Sequence, residues 1–225
     1  MRFLLASAAE VHMDVAILNL GYLLKAAVVT LEMAAATVVF SFLLGTALGV
    51  FAALGGTAVR SVLAVYVYIV RGVPVLVLIF IAYFGLPRMG LDAPNYVAAT
   101  IALVIYFAAF VADIVRGSIL AVPKTTVEAG KSIGLRKAQI LMQIQLPLGM
   151  RLALPPLVTT ASIAVKSTSY ASIVGVWELT YASREVVERT LAAFQIFFAV
   201  MLIYFCICYP ISLGATYLQR RFKTS

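Results

Sequence analysis

The chain contains several apolar segments that are each long enough to cross a lipid bilayer, and this property limits its fold more than any other. The segments cover about residues 20–54, 62–84, 96–114, 152–173 and 191–218. A helix needs about 20 apolar residues to cross a hydrocarbon core roughly 30 Å thick, where every backbone amide must bond within the protein. The sequence therefore predicts an all-α integral membrane protein with about five transmembrane helices.

The composition excludes several other classes of protein. Of the 225 residues, 64% are hydrophobic and only 12% are charged, against about 25% charged in soluble domains. We expect an outer lead-in over residues 1–19, one transmembrane domain over 20–221 and a cytoplasmic tail over 222–225. The net charge of +8 does not indicate nucleic acid binding, because the basic residues adjoin apolar spans.

The distribution of basic residues predicts the orientation of the spans. Basic loops of membrane proteins usually lie on the cytoplasmic side. With an outer amino terminus and five spans, four basic residues fall outside, namely Arg2, Arg88, Arg184 and Arg189. Ten fall inside, namely Arg60, Arg116, Lys124, Lys131, Arg136, Lys137, Arg151, Arg220, Arg221 and Lys223. This bias predicts a cytoplasmic carboxyl terminus.

The longest stretch that a bilayer could not hold covers residues 116–151 and is predicted to be cytoplasmic. Its apolar residues recur at roughly helical spacing, at Val127, Ile133, Ile140, Leu141 and Ile144. Gly130 and Gly134 interrupt that pattern, and Pro147 is expected to end it. The stretch therefore predicts two short amphipathic helices, with a turn near Gly134, that offer a docking surface to a partner.

This stretch also resembles the EAA loop in the membrane subunits of bacterial ABC importers. That pattern consists of Glu-Ala-Ala, three residues, Gly, nine residues, and then Ile, any residue and Leu-Pro. The matching positions here are Glu128, Ala129, Gly130, Gly134, Ile144, Leu146 and Pro147. Gly130 replaces the usual second Ala, and is expected to weaken the first helix by about 1 kcal/mol.

The resemblance implies the fold of a type I ABC importer subunit, with two coupling helices between spans 3 and 4 and a location in the bacterial cytoplasmic membrane. It implies a second permease subunit, two ATPase subunits that bind ATP and Mg, and a substrate-binding protein outside. Four further segments resemble the polar amino acid subfamily: 71–74, 83–87, 113–117 and 166–169. The chain has no Gly-rich phosphate-binding loop, metal-ligand spacing or catalytic triad, so we expect it to be neither an enzyme nor a cofactor-binding protein.

Several polar residues within the predicted spans are candidates for the substrate pathway, since charges inside a bilayer usually face a cavity or a partner. They are Glu32, Arg71, Lys166, Ser167, Thr168 and Ser169. Lys166 and the three hydroxyl groups could bind a carboxylate. Alternatively, the hydroxyls bond back to the preceding helical turn and Lys166 extends to the interface. Arg71 could instead pair with Asp113 in a structural role.

Two other functions are compatible with these residues. A stand-alone ion-coupled carrier of a small polar solute would use the charges inside the membrane. A membrane scaffold would carry no cargo. An importer subunit should purify with an ATPase, whereas a carrier needs none, so the proteins that purify with the chain distinguish these functions.

Overall fold

The computed structural model describes residues 15–223, which are predominantly helical. The helices in chain order are α1 (Leu20–Leu54), α2 (Thr57–Gly72), α3 (Val75–Arg88), α4 (Asn95–Leu120), α5 (Lys124–Ser132), α6 (Lys137–Ile140), α7 (Leu146–Ser167), α8 (Leu179–Thr190) and α9 (Ala193–Lys223). A π-helical segment, Leu141–Gln145, joins α6 to α7, and a 3-10 helix, Thr168–Val174, follows α7. The predictions for His12 and the rest of residues 1–14, and for residues 224–225, lie outside the described residues.

Helices α1 and α4 form the centre of the bundle and run in the same direction. Their close contact depends on two glycines, whose spacing in the sequence is typical of closely packed membrane helices. A Cβ at Gly45 would lie 2.7 Å from the carbonyl oxygen of Ala108, and one at Gly49 would lie 2.7 Å from that of Ala112. Because each step along α1 matches a step in the same direction along α4, both helices end on the same side.

The parallel arrangement means that α2 and α3 together cross the membrane. The chain leaves α1 at one side and enters α4 at the other, so the segment between them has to return across the bilayer. The two helices are bent by 101°. Pro74 lies at the break and lacks the amide hydrogen that a continuous helix would use. The sequence predicts a kink at this proline, and the structure shows a complete break.

Helices α7 and α9 complete five spans in the described chain, as predicted. Gly149 near the start of α7 contacts Ile119 near the end of α4, so these two helices are antiparallel. Leu23 of α1 packs in one cluster with Ile196 and Val200 of α9, and Ala34 packs in another with Cys208. Helix α9 is therefore parallel to α1, and the basic residues predicted to be cytoplasmic lie towards one end of the bundle.

Two boundaries differ from the sequence prediction. Helix α4 continues to Leu120, so Arg116 belongs to the span rather than to the loop. The polar segment after the fourth span, predicted only as an outer stretch, contains the helix α8. That helix buries Leu179, Ala182 and Val186 and contacts both α1 and α9.

Candidate functional site

The basic stretch between the third and fourth spans folds into a short arm at one end of the bundle, which we call the coupling arm (residues 121–145). Helix α5 forms its first half. Glu128 and Ala129 are exposed on this helix, whereas Gly130 faces inward and is buried. The exposed position of Glu128 makes its carboxylate available to a partner protein.

Gly134 sets the turn of the coupling arm. Its φ angle is +80°, in the left-handed region that glycine adopts without strain. The Gly134 amide donates to the carbonyl of Lys131 at 2.9 Å, and the Leu135 amide donates to that of Gly130 at 3.1 Å. This pair of bonds is the Schellman motif, which satisfies the last carbonyl groups of a helix. The predicted turn near Gly134 is confirmed.

Gly130 provides space for the second half of the arm. A Cβ at this position would lie 2.7 Å from Cδ1 of Ile144 and 3.4 Å from Cγ1 of Ile140. The departure from the usual Ala therefore coincides with close packing between α5 and the segment that follows the turn. That packing offsets the loss of helix stability that the sequence predicts for a glycine at this position.

The prediction that Pro147 ends the second helix is wrong. Helix α6, the π-helical segment and α7 follow one another without a break. Pro147 lies at the start of α7, where its missing amide hydrogen is tolerated, and a π-helical bond joins the Leu146 amide to the carbonyl of Leu141. The second coupling helix is thus the extension of a membrane span. Leu141 and Leu146 pack in one cluster with Ile119.

The outer surface of the coupling arm carries two exposed apolar side chains: Ile133, which belongs to the predicted helical pattern, and Met142, which does not. Ile133 is 77% exposed and Met142 is 61% exposed. Helix α5 ends at Ser132, so Ile133 directly follows the helix. The arm also carries exposed basic residues, namely Lys124, Lys131, Arg136 and Lys137. Such a mixed surface is suited to a protein partner.

Arg71, next to the break between α2 and α3, forms an ion pair with Asp113 of α4. Its guanidinium also lies 4.9 Å from the centre of the Phe110 ring. Both charged side chains remain partly open, at 42% and 43% exposure. The pairing with Asp113 that the sequence allowed for Arg71 is present in the structure.

The polar run at the end of α7 forms hydrogen bonds mainly within its own helix. The hydroxyls of Ser167, Thr168 and Ser169 donate to the carbonyls of Ile163, Val165 and Lys166 at 3.0, 2.8 and 2.8 Å. Ser167 and Thr168 are buried, whereas Lys166 is exposed and Ser169 is partly exposed. Lys166 lines a cavity of about 330 Å³ between α7 and α9, together with Tyr204 and Ser212.

Glu32 lies exposed on α1. No hydrogen bond or ion pair within the described residues joins it to Arg71 or Lys166. Glu32 is therefore not joined directly to the other charged residues predicted for the pathway within the described part of this subunit.

Sequence reasoning missed Glu178, which is fully buried at the start of α8. One carboxylate oxygen accepts from the Tyr181 amide at 2.9 Å, and the other accepts from the Tyr204 hydroxyl at 3.2 Å and the Thr30 hydroxyl at 3.4 Å. Burial raises the pKa of Glu178 above its ordinary value of 4.5, although the hydrogen bonds from Tyr181 and Tyr204 oppose the shift. An acid directly before Leu179, Ala182 and Val186 is a helix-start signal that could have identified it.

Comparison with known proteins places this geometry in a family. Residues 45–224 match the sequence model of the family described as binding-protein-dependent transport system inner membrane component. The probable glutamine ABC transporter permease protein GlnM of Bacillus subtilis is 34% identical over 185 residues, 82% of this chain and 86% of that protein. The L-cystine transport system permease protein TcyB of Bacillus subtilis is 34% identical over 188 residues, 81% of this chain and 80% of that protein.

The fold is also similar to that of a solved amino acid ABC transporter with histidines. The match has a TM-score of 0.84 at 25% sequence identity and covers 92% of this chain and 98% of the other. The relatives provide no support for an ion-coupled carrier. The chain belongs to the family of inner membrane components of binding-protein-dependent transport systems and is the permease subunit of an ABC importer, which works with an ATPase in a separate subunit.

Proposed function

We propose that the chain forms part of the import pathway for a polar amino acid or a related compound. Two kinds of observation support this cargo class: the subfamily resemblance of its polar segments, and the glutamine and cystine named for the relatives above. Ser167 stands where the subfamily usually has an acid, which favours a cargo other than a strongly cationic one.

Within the importer, two permease subunits, identical or homologous, would enclose the pathway. Each would bind one ATPase subunit that holds ATP and Mg, and a periplasmic or extracellular binding protein would deliver the cargo. Four of the predicted residues have polar groups that remain open and are suited to face that pathway, namely Glu32, Arg71, Lys166 and Ser169. Ser167 and Thr168 are buried, and they would hold the end of α7 in shape through their hydrogen bonds to the preceding turn.

We assign ATPase docking to the coupling arm together with the first two residues of α7, through Glu128, Ala129, Gly130, Gly134, Ile144, Leu146 and Pro147. The observation that supports this role most directly is the absence of a break between the arm and span α7. Motion of a partner against the arm would move α7, and the contact between Gly149 and Ile119 would carry it to α4. The span ends would thereby tilt together as the ATPase pair closes.

This role requires the coupling arm on the cytoplasmic side. We therefore place the amino terminus outside and the carboxyl terminus in the cytoplasm. The shared direction of α1, α4 and α9 is consistent with this orientation, because it leaves Arg60, Arg116 and Arg220 towards the same side of the membrane. Accessibility of cysteines introduced at Lys131 and Glu188 to a membrane-impermeant thiol reagent would test it.

Substitution of Gly134 by Ala tests the coupling role. Alanine at a φ of +80° is strained by about 1–2 kcal/mol, so the turn should shift and misplace the docking surface. We expect several-fold slower ATP-driven uptake by the reconstituted importer, with less cargo moved per ATP hydrolysed. Gly117→Ala is the matched control, since Gly117 lies in regular helix and nothing within 4 Å would meet its Cβ.

Unchanged uptake and unchanged coupling in Gly134→Ala would contradict the docking role. Equal losses in both variants would also contradict it, because they would indicate general sensitivity of this end of the bundle. Size-exclusion chromatography of each complex shows whether the ATPase remains attached.

A further inference from the structure

A cavity of about 290 Å³ lies between α1, α2 and α4, at the end of the bundle that carries the coupling arm. Three arginines line it, one near the start of α2, one at its end and one near the end of α4: Arg60, Arg71 and Arg116. The rest of the lining is largely aliphatic and aromatic and includes Leu48, Leu63, Val67, Tyr66 and Tyr68. The lining of the cavity therefore combines cationic and apolar side chains.

The cavity has fewer acids than its arginines require. Asp113 is the single acid in the lining, and its partner is Arg71. Arg60 and Arg116 have no acidic partner among residues 15–220. The Nε of Arg116 is buried and forms no hydrogen bond in the described part of the chain. Unpaired charge beside a bilayer is costly, so these two arginines are expected to meet an external anion.

The position of the cavity indicates which anion fits. Arg60 follows the end of α1 by six residues, and Arg116 precedes the end of α4 by four, so both lie near the membrane interface. The neighbouring aliphatic residues continue towards the bilayer interior. Tyr68, which also lines the cavity, is 78% exposed and adds an apolar ring to this wall. A ligand with a phosphate group and hydrocarbon chains matches both parts of this lining.

We propose that the cavity binds an anionic phospholipid of the cytoplasmic leaflet. Arg60 and Arg116 hold the headgroup phosphate through charge-assisted hydrogen bonds, and the aliphatic wall contacts the upper acyl chain. The volume lies at the low end of the range for ligand pockets, which suits a small headgroup such as glycerol. The assignment to the cytoplasmic leaflet rests on the orientation proposed above.

The experiment uses the complete purified importer, stripped of lipid and then titrated with phosphatidylglycerol or phosphatidylcholine, with bound lipid counted by native mass spectrometry. The wild-type complex should retain phosphatidylglycerol in preference to phosphatidylcholine. Arg60→Gln and Arg116→Gln should each weaken phosphatidylglycerol binding by about fivefold and leave phosphatidylcholine binding unchanged. The matched control is Arg151→Gln, an exposed arginine of the same region that does not line the cavity, and it should bind like wild type.

Three results would overturn the proposal: equal binding of the two lipids by wild type, undiminished phosphatidylglycerol binding by both cavity variants, or displacement of the lipid by millimolar inorganic phosphate. The last result would indicate a site for a free anion. If Arg116→Gln fails to assemble, Arg60→Gln still decides the outcome, because Arg60 is an exposed residue. ATP-driven uptake by wild type tests the proposed function separately, since transport can succeed whether or not lipid binds here.

Discussion

Gly149 of α7 lies directly against the backbone of Ile119 in α4. A Cβ on Gly149 would be 2.8 Å from the Ile119 Cα and 3.1 Å from its amide nitrogen. Backbone atoms cannot rotate away as a side chain can. The separation of these two spans, just above the coupling arm, is therefore set by the absence of a single methyl group.

Gly149→Ala should force α4 and α7 apart. Overpacking of this kind typically destabilises a protein by about 1–3 kcal/mol. We expect a lower thermal unfolding temperature of the importer in nanodiscs and less cargo moved per ATP hydrolysed. Gly214→Ala in α9 serves as the control, because a Cβ there meets nothing within 4 Å. Identical behaviour of the two variants would mean that this helix contact does not matter.

Gly130→Ala should disturb the coupling arm through one specific atom. The new methyl group would approach Cδ1 of Ile144 to 2.7 Å, which opposes the gain in helix propensity of about 1 kcal/mol. Ile144→Val removes that atom. We therefore expect the double variant Gly130→Ala/Ile144→Val to transport better than Gly130→Ala alone, in uptake assays with reconstituted importer. Independent, additive effects of the two substitutions would contradict this packing.

The ion pair between Arg71 and Asp113 connects the broken span to α4. The effect of breaking it on stability should depend on whether one charge or neither charge remains. Arg71→Gln or Asp113→Asn alone leaves one charge unpaired near the bilayer, which costs about 1 kcal/mol or more. The double variant removes both charges and should recover part of the loss in thermal unfolding temperature. Recovery should be incomplete, because the contact of Arg71 with the Phe110 ring is also lost. Purely additive losses would indicate that the two charges do not interact.

Glu178 should make the stability of the importer depend on pH. Because burial raises its pKa above 4.5, the folded chain binds this proton more tightly than the unfolded chain. The resulting stabilisation is complete below pH 4.5 and is lost as pH rises through the higher pKa of the folded state. Glu178→Gln keeps an acceptor for the Tyr181 amide but cannot titrate. Its unfolding temperature should fall less than that of wild type as pH rises from 4.5, and parallel curves would contradict the assignment.

Hydrophobic segments predict the spans well because the bilayer imposes the same requirement on every crossing. The expected first span, residues 20–54, has the bounds of α1. Pro147 was misjudged because a proline has opposite effects within a helix and at its first turn, and only the structure shows a π-helical segment before it. Glu178 was missed because its burial depends on Thr30 and Tyr204, which are far away in sequence.

The candidate site likewise has features that the sequence predicts and features that it does not. The turn at Gly134 follows from local chemistry, since a left-handed residue after a helix is usually glycine. Residue type alone could not decide which hydrogen-bond partners the hydroxyls of Ser167, Thr168 and Ser169 have, because the same groups can bond to their own helix or to a ligand. The pair between Arg71 and Asp113 was one of the alternatives that the sequence left open, and choosing it required the packing of α2 against α4.

The π-helical segment Leu141–Gln145 has a consequence for how this protein can change over evolution. A π-turn holds one residue more than an α-turn, and each residue of an α-helix adds a rotation of about 100°. Deleting one residue there would convert the segment to α-helix while leaving the membrane span beyond it in register. A one-residue deletion would therefore be absorbed at this segment, whereas the same deletion in the regular helix of α7 would turn the docking face by about 100° relative to the pore.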